Sequence, residues 1–248
     1  MDVKELAYTL YLKFRKGDLE SFRNVLIKSL EKERTEKLRL VKTPVLNSIG
    51  REFGKLIAEE DWFQGMLNLW RISLGCREGR EIRYIVINAL GVISRRNYDD
   101  AMKFILRILH DLGDWETVDA LALRVIVNLA RQNRREVFQL LKEWSSSNNK
   151  WVRRLAMASI ATYIRARPSD AEHCLKIVEN LMEEEDRDVR KAVAWALREI
   201  SKKNPRKVYD FLQKYINSRN KNTRWIVKEG SRKLPIKLNK DQRPSINY

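Results

Sequence analysis

Apolar side chains recur along most of the chain at spacings of three and four residues, which is the period of an amphipathic helix. Near the start of the chain, Leu6, Leu10 and Phe14 fall on one helical face. We find no segment with the sustained alternation of apolar and polar positions that marks a half-buried strand. The pattern therefore predicts an all-α protein.

Capping residues and short polar breaks divide this pattern into helices of ordinary length. Thr43, which is followed by a proline, is predicted to cap one helix. Asp114 is predicted to cap a helix that runs to about Arg131, and Asn133 to cap the next one. Other predicted helices cover about residues 1–15, 61–76, 78–95, 99–112, 150–165, 188–202 and 223–233.

A short signature, in which an apolar residue or threonine precedes an arginine, recurs at Arg83, Arg153, Arg190 and Arg224. Asp119, preceded by a valine, falls in step with these arginines, and the successive intervals are 34 to 37 residues. A period of this length with two helices per unit is typical of a HEAT-like α-solenoid. Asp119 is the exception in the series, because a carboxylate stands where the other repeats carry a cation.

A solenoid of this kind accounts for all 248 residues as one body, and a hydrophobic content of 44% is ample for its core. We predict a single right-handed solenoid over residues 1–234. Residues 235–248 contain two prolines and show no periodicity, so we predict a basic, largely extended tail there.

The chain is strongly basic, because 50 lysines and arginines against 33 acidic residues give a net charge of +17. This excess favours a polyanionic partner, nucleic acid first. The alternative is a soluble basic protein whose charged helix faces are simply solvated.

Few residues are suited to metal or redox chemistry, since the chain has only two histidines and only two cysteines, which are far apart. This argues against a disulfide framework, a zinc site and a Ser-His triad, and we expect neither metal nor cofactor. The first dozen residues carry charges throughout, and no stretch is apolar for long enough to cross a bilayer. We therefore expect a cytoplasmic protein without membrane contact, associated with the nucleoid when bound to DNA.

The predicted helix over residues 188–202 carries one tryptophan away from its apolar stripe. Trp195 points nearly opposite the core face and shares its side with Lys191, Arg198 and Lys202. One interpretation is an aromatic platform in a phosphate-binding cleft. The other is that a further helix covers the indole, because tryptophan is mostly a buried residue.

Asp119 borders an apolar stripe, and Trp115 lies one turn earlier, so the indole and the carboxylate can face the same space. The structural alternative is an ion pair from Asp119 to Arg153 or Arg154 of the next repeat, which would keep the carboxylate ionised. Arg154 projects away from the core face of its own helix. The sequence leaves three interpretations of Arg154: a solvated side chain, a phosphate contact, or a partner for Asp119.

One carboxylate, two tryptophans and an arginine, without a metal or an obvious nucleophile, suit glycosidic cleavage through an oxocarbenium-like transition state. An ordinary glycosidase needs two carboxylates because its leaving group must be protonated. A purine alkylated at N3 or N7 is already cationic and leaves as a neutral base. One carboxylate can then stabilise the sugar cation and orient water, while indole faces lie against the cationic nucleotide and surface cations hold the DNA phosphates.

Segments along most of the chain, about residues 40–210, resemble the AlkD family of HEAT-like DNA alkylation repair glycosylases. Residues 114–119 resemble the family's Trp-x-x-x-Asp segment, and residues 149–156 its Trp-x-Arg-Arg segment. Residues 191–199 resemble its Lys-Ala-x-x-Trp-x-Leu-Arg-Glu segment, which is the most specific of the set. Residues 42–46 are similar to its early Thr-Pro-x-Leu motif.

The resemblance implies that Asp119 is the essential carboxylate, that Trp115 and Trp195 are aromatic walls, and that Arg154 is the companion of Asp119. It also implies a monofunctional glycosylase, active without base flipping, that releases 3-methyladenine and 7-methylguanine from double-stranded DNA. We expect a monomer. The cations expected to contact DNA are Lys150, Arg153, Lys191, Arg198 and Lys202.

Three positions depart from the family pattern and bear on substrate range more than on fold. Asp114 stands where the family often has a second aromatic residue, Ala120 replaces the usual serine, and Asn47 stands where an arginine is common. Two other functions are alternatives: a non-catalytic relative that binds branched or distorted DNA, and a HEAT-type protein scaffold. The scaffold predicts an apolar concave surface, whereas the cations beside the second tryptophan favour DNA.

Overall fold

The computed structural model describes residues 2–35 and 40–238, and the regular structure in these ranges is helical, which confirms the all-α prediction. The first helices are α1 (Val3–Arg15), α2 (Leu19–Leu30), α3 (Thr43–Ile57), α4 (Phe63–Leu74), α5 (Gly79–Ile93) and α6 (Tyr98–Ile108). They are followed by α7 (Trp115–Leu121), a π turn (Ala122–Ile126), α8 (Val127–Gln132), α9 (Arg134–Ser145), α10 (Lys150–Tyr163), α11 (Ala171–Val178), α12 (Arg187–Ser201), α13 (Pro205–Gln213) and α14 (Lys221–Gly230).

Met1–Asp111 forms the first of two compact units. In it α1 packs on α3 and α3 on α5, while α2 packs on α1 and α4 on α5. The contact of α3 with α5 is close, because a Cβ atom at Gly54 would lie only 2.6 Å from the Cα of Ala89. Asn47, one of the positions that depart from the family pattern, is buried in this contact and accepts a hydrogen bond of 2.9 Å from Asn88 Nδ2.

Leu112–Tyr248 forms the second compact unit and contains the predicted site residues. One layer is built from α7, α10, α12 and α14, each packed on the next, and α9, α11 and α13 form a second layer behind it. Within the unit, helices therefore alternate between two layers, as a HEAT-like repeat predicts. The handedness and the single body over residues 1–234 stay predictions, and residues 239–248 of the predicted tail lie outside the described residues.

One predicted helix boundary is wrong. Thr43 is not an N-cap but the first residue of α3, and its Oγ1 accepts a hydrogen bond of 3.3 Å from Arg80 Nη2 instead of bonding its own helix. The extent of the helix predicted from Asp114 to about Arg131 is confirmed, and an unpredicted π turn widens the backbone ring within it, between α7 and α8. The caps at Asp114 and Asn133 are confirmed, since each side chain accepts from a backbone N–H in the first turn of its helix.

In the described part of the chain, no helix is both long enough and apolar enough to cross a membrane. Within residues 2–35 and 40–238, no group of three or more histidine, cysteine, aspartate or glutamate side chains could hold a metal ion.

Candidate active site

Three of the four arginines that recur in the repeats tie their helix to the end of the preceding helix or to the loop after it, whereas Arg190 donates to Asn222 Oδ1 on the next helix of its layer. Arg153 Nη1 donates to the carbonyl of Ser147 at 2.8 Å. Arg83 and Arg224 donate in the same way to backbone carbonyls that precede their own helices. Asp119 occupies this position in α7 and, as a carboxylate, cannot donate such a bond. Its side chain is therefore free to turn toward the next repeat.

Asp119 forms a two-point ion pair with Arg154 on α10. Arg154 Nε lies 3.0 Å from Oδ1 of Asp119, and Arg154 Nη2 lies 2.7 Å from Oδ2. The remaining guanidinium nitrogen, Nη1, donates to the carbonyl of Asp188 at 2.6 Å, in the first turn of α12. The Arg154 side chain is only 8% exposed, so the interpretation of Arg154 as a solvated side chain is wrong. The structure instead shows the pairing of Arg154 with Asp119.

Arg153 has a different partner. Its Nε and Nη2 donate to the two carboxylate oxygens of Glu184 at 2.7 and 3.0 Å. Together with the bond to the Ser147 carbonyl, this engages all three guanidinium nitrogens. The choice between Arg153 and Arg154 as companion of Asp119 is thus decided by geometry. With a further bond from Nη1 to the Asn148 carbonyl, four of the five guanidinium N–H groups are used, and one remains for the phosphate contact that the sequence predicts for Arg153.

Burial raises the pKa of the Asp119 carboxyl above its ordinary value of 3.8. The hydrogen bonds and charge of Arg154 oppose that rise, and the charge of Asp114 adds to it. Both oxygens accept from Arg154, which requires the ionised form. The side chain is 23% exposed, so one negative charge is held at a fixed position at the edge of the protein. Such a charge can stabilise a cation brought against it.

Trp115 is the first residue of α7, one turn before Asp119, and it is 55% exposed. The first turn is held by Asp114, whose Oδ1 accepts from the Thr117 backbone N–H at 2.7 Å and whose Oδ2 accepts from Thr117 Oγ1 at 2.7 Å. Asp114, which departs from the family pattern, is therefore an N-cap. An indole this exposed on an anchored helix end offers a flat face for stacking.

Trp195 is half-buried, so it is neither fully covered nor a fully exposed platform. The guanidinium of Arg165, at the end of α10, lies over its ring at 5.8 Å from the centroid. Arg165 Nε also donates to Glu199 Oε2 at 3.0 Å, while Lys202 Nζ lies 2.7 Å from Glu199 Oε1. Arg165 is thus a neighbour of the candidate site that the helical pattern misses.

The interval between ion-pair partners is the signal that could have revealed Arg165. Glu199 follows it by 34 residues, close to one repeat. The pair of Asp119 with Arg154 spans 35 residues, and the pair of Lys150 with Asp186 spans 36. Opposite charges one repeat apart therefore meet on neighbouring helices of the same layer.

The remaining cations predicted to contact DNA are less free than their helical faces indicate. Lys150 Nζ lies 3.2 Å from Asp186, and Lys191 Nζ lies 3.9 Å from Asp188. Arg198 Nη1 donates to a backbone carbonyl at 3.2 Å. The exposed face of α12 is therefore a mixed surface of lysines and carboxylates, and DNA phosphates would compete with these side chains for the cations.

Comparison with known proteins identifies a family and similar folds for this chain. The sequence model of the DNA alkylation repair enzyme family matches residues 23–234. AlkD2 from Streptococcus mutans shares 19% identity and a TM-score of 0.63, over 85% of this chain and 98% of its own. Protein smu.31 from Streptococcus mutans UA159 shares 18% identity and a TM-score of 0.52, over 93% of this chain and 98% of its own.

A further structure with the same fold contains DNA. The alkylpurine DNA glycosylase AlkC from Pseudomonas fluorescens, bound to DNA containing an abasic site analog, shares 17% identity and a TM-score of 0.59. The alignment covers 92% of this chain and 62% of that one. No match was found among curated protein sequences. At these identities the likeness establishes the helical-repeat fold, as predicted.

Proposed function

We propose, from the premise that the chain belongs to the DNA alkylation repair enzyme family, that it is an alkylpurine DNA glycosylase. Its substrates are purines that alkylation at N3 or N7 has made cationic, in duplex DNA, with 3-methyladenine and 7-methylguanine as the main examples. The observation that carries the proposal is the Asp119 carboxylate, fixed at two points by Arg154 and one turn from the exposed indole of Trp115.

The chemistry follows from the charge of the substrate. When the bond from the sugar C1′ to the purine nitrogen breaks, its electron pair neutralises the base, which leaves without a general acid. Positive charge then develops on the sugar, and the ionised Asp119 stabilises it. Water adds its oxygen to C1′ and loses a proton, so the products are a free base and an abasic site. One carboxylate therefore suffices where an ordinary glycosidase needs two.

A monofunctional mechanism is supported by the pairing of Lys150, the lysine at the start of the helix that carries Arg154. Its ammonium is paired with Asp186 at 3.2 Å and lies 4.6 Å from the centroid of the Trp151 ring. A Schiff base requires a neutral amine aimed at C1′. The exposure of Trp115 supports contact with a nucleotide that stays in the duplex instead of entering a deep pocket.

A second candidate, a non-catalytic protein that binds distorted DNA, is favoured by one observation. Both oxygens of Asp119 are already bonded to Arg154, as they would be if the carboxylate served only to join two repeats. This interpretation predicts DNA binding without base release.

The direct test is release of methylated bases from duplex DNA treated with a methylating agent, followed by chromatography. We expect free 7-methylguanine and 3-methyladenine in the presence of a metal chelator, and abasic sites without strand nicks. Binding of the methylated duplex with no base release above the uncatalysed rate would overturn the glycosylase proposal. A covalent adduct trapped with borohydride and lost in Lys150→Ala would overturn the monofunctional mechanism.

A further inference from the structure

A second cationic feature lies in the same compact unit, at the C-terminal ends of α8 and α10, away from Asp119 and Arg154. It is a concavity of about 340 Å³ between the end of α8, the start of α9, the end of α10 and the segment that follows α10. Arg131, Arg134 and Arg167 line it, and Asp170 is the acidic residue in its wall. Its lining thus carries three positive charges against one negative charge.

One of these arginines is rigidly held. Arg134 Nε and Nη2 donate to the two oxygens of Asp170 at 2.9 and 3.0 Å, and the guanidinium lies 5.0 Å from the centroid of the Phe138 ring. Asp170 also accepts a hydrogen bond of 2.6 Å from the Tyr163 hydroxyl. Burial, together with this bond, raises the pKa of Tyr163 to about 12, so the hydroxyl keeps its proton. The wall of the cavity is therefore preorganised.

The other two arginines have no such partner. Arg131 and Arg167 are exposed, and in the described part of the chain neither forms an ion pair or a side-chain hydrogen bond. They differ in this from the cations beside Trp195, which are engaged by carboxylates or carbonyls. Two unpaired guanidinium groups therefore line one concavity with a third that is fixed in place.

We propose that this concavity binds a phosphate group, and that the phosphate is a backbone phosphodiester of duplex DNA. Guanidinium groups match the paired oxygens of a phosphate, and their weak hydration favours such contacts. From Arg154 to Tyr163, α10 advances about 14 Å at 1.5 Å per residue, so the concavity lies well apart from the Asp119 carboxylate. A duplex presents phosphates densely along its axis, so a phosphate is available at such a distance from the reacting nucleotide.

The proposal rests on the proposed function only in taking DNA as the ligand. It requires neither base release nor a damaged base. A phosphate contact far from the reacting sugar contributes to affinity for every sequence and to its salt dependence, and it leaves the chemical step unchanged once DNA is bound.

The test compares Arg131→Gln/Arg167→Gln with the matched control Lys142→Gln/Lys176→Gln, which removes two exposed charges from α9 and α11. Binding of an undamaged, fluorescently labelled duplex is measured by anisotropy over a range of salt concentrations, and inorganic phosphate is titrated by calorimetry. We expect the arginine variant to lose phosphate binding and to reduce the log–log salt slope by about one unit. The control should keep the wild-type slope.

Two results would overturn the proposal. If the arginine variant keeps both the wild-type salt slope and the wild-type phosphate binding, the concavity is not a phosphate site. If it keeps the slope but loses phosphate binding, the concavity binds a small phosphate ligand instead of DNA. Melting temperatures verify folding, and Arg131→Lys/Arg167→Lys, which keeps both charges, should retain most of the slope. If wild-type protein releases no methylated base but the arginine variant still lowers the slope, the glycosylase proposal fails and the phosphate site stands.

Discussion

Asp119→Asn separates the two roles that the geometry allows for this side chain. Asparagine keeps the shape, removes the charge and can accept only one of the two bonds from Arg154, so its amide nitrogen faces a guanidinium N–H. Loss of a preorganised charge next to the developing sugar cation should slow base excision on the order of 10²-fold or more. Binding of undamaged duplex should be unchanged or slightly tighter, because removal of an anion reduces repulsion of phosphate.

The same substitution has a cost in stability that can be estimated from burial. A buried donor left without an acceptor costs about 1–3 kcal/mol, and breaking a fully buried ion pair costs about 3–5 kcal/mol. Arg154 is 8% exposed but Asp119 is 23% exposed, so solvent screens part of the loss. We expect a free energy of unfolding lower by about 2 kcal/mol. A lowered melting temperature is therefore expected whether or not Asp119 is catalytic.

The deciding measurement is single-turnover excision with the protein in excess, at a temperature at which each variant is folded. Glu184→Gln is the matched control, because Glu184 makes an equivalent two-point pair with Arg153, the residue before Arg154 on α10. The Glu184 side chain is 6% exposed. This variant should lower the melting temperature by a similar amount and leave the excision rate within a few-fold of wild type. If Asp119→Asn behaves like Glu184→Gln in both measurements, Asp119 has a structural role only and the catalytic assignment is wrong.

Three further outcomes are expected. Because burial raises the pKa of Asp119 despite the opposing effect of Arg154, the single-turnover rate should fall on the acid side at a pH above 3.8, and this decrease should be missing from the residual activity of Asp119→Asn. Arg165→Gln removes the cation over Trp195 and should slow excision about two- to fivefold, as estimated from a contact of about 0.5–1 kcal/mol, whereas Arg165→Lys should restore part of the rate. Burial acts to raise the pKa of Asp170, but the hydrogen bond from Tyr163 and the charge of Arg134 outweigh burial and hold that pKa below 3.8. The ionised Asp170 therefore stabilises the fold at pH values above its pKa in the unfolded chain. This stabilisation is lost as the pH falls through the lower pKa of the folded protein. Asp170→Asn should accordingly reduce the free energy of unfolding at neutral pH by about 1 kcal/mol and lower the melting temperature. In thermal melts at several pH values this difference should shrink below pH 3.8 and vanish as the pH falls through the lowered pKa of Asp170.

Helical periodicity was sufficient to predict the fold because amphipathic helices bury one face, and that face is visible in sequence. The repeat also located Asp119, because a carboxylate in a series of arginines is visible in the sequence without knowledge of its contacts in the fold. Periodicity did not reveal the π turn over Ala122–Ile126, because a single wider turn leaves the apolar pattern on either side intact.

Contacts between helices were less predictable from the chain. A helical wheel places Arg153 and Arg154 side by side, and it cannot show that one meets Glu184 and the other Asp119. Arg165 was missed for the same reason, as its partner lies a full repeat away. Each of these choices depends on how α10 is rotated against its neighbours, which is set by packing of the whole layer.

The bonds of Arg154 show why catalysis and stability are joined at this position. Its guanidinium binds the Asp119 carboxylate on α7 and the Asp188 carbonyl on α12, so one side chain links three helices of a layer. The carboxylate that would stabilise the sugar cation is thus held by the same group that positions the helix carrying Trp195. A change at Asp119 must then affect both the charge at the site and the placement of α12. For this reason only the rate of the folded protein, measured beside a variant that breaks an equivalent pair elsewhere, can assign the role of Asp119.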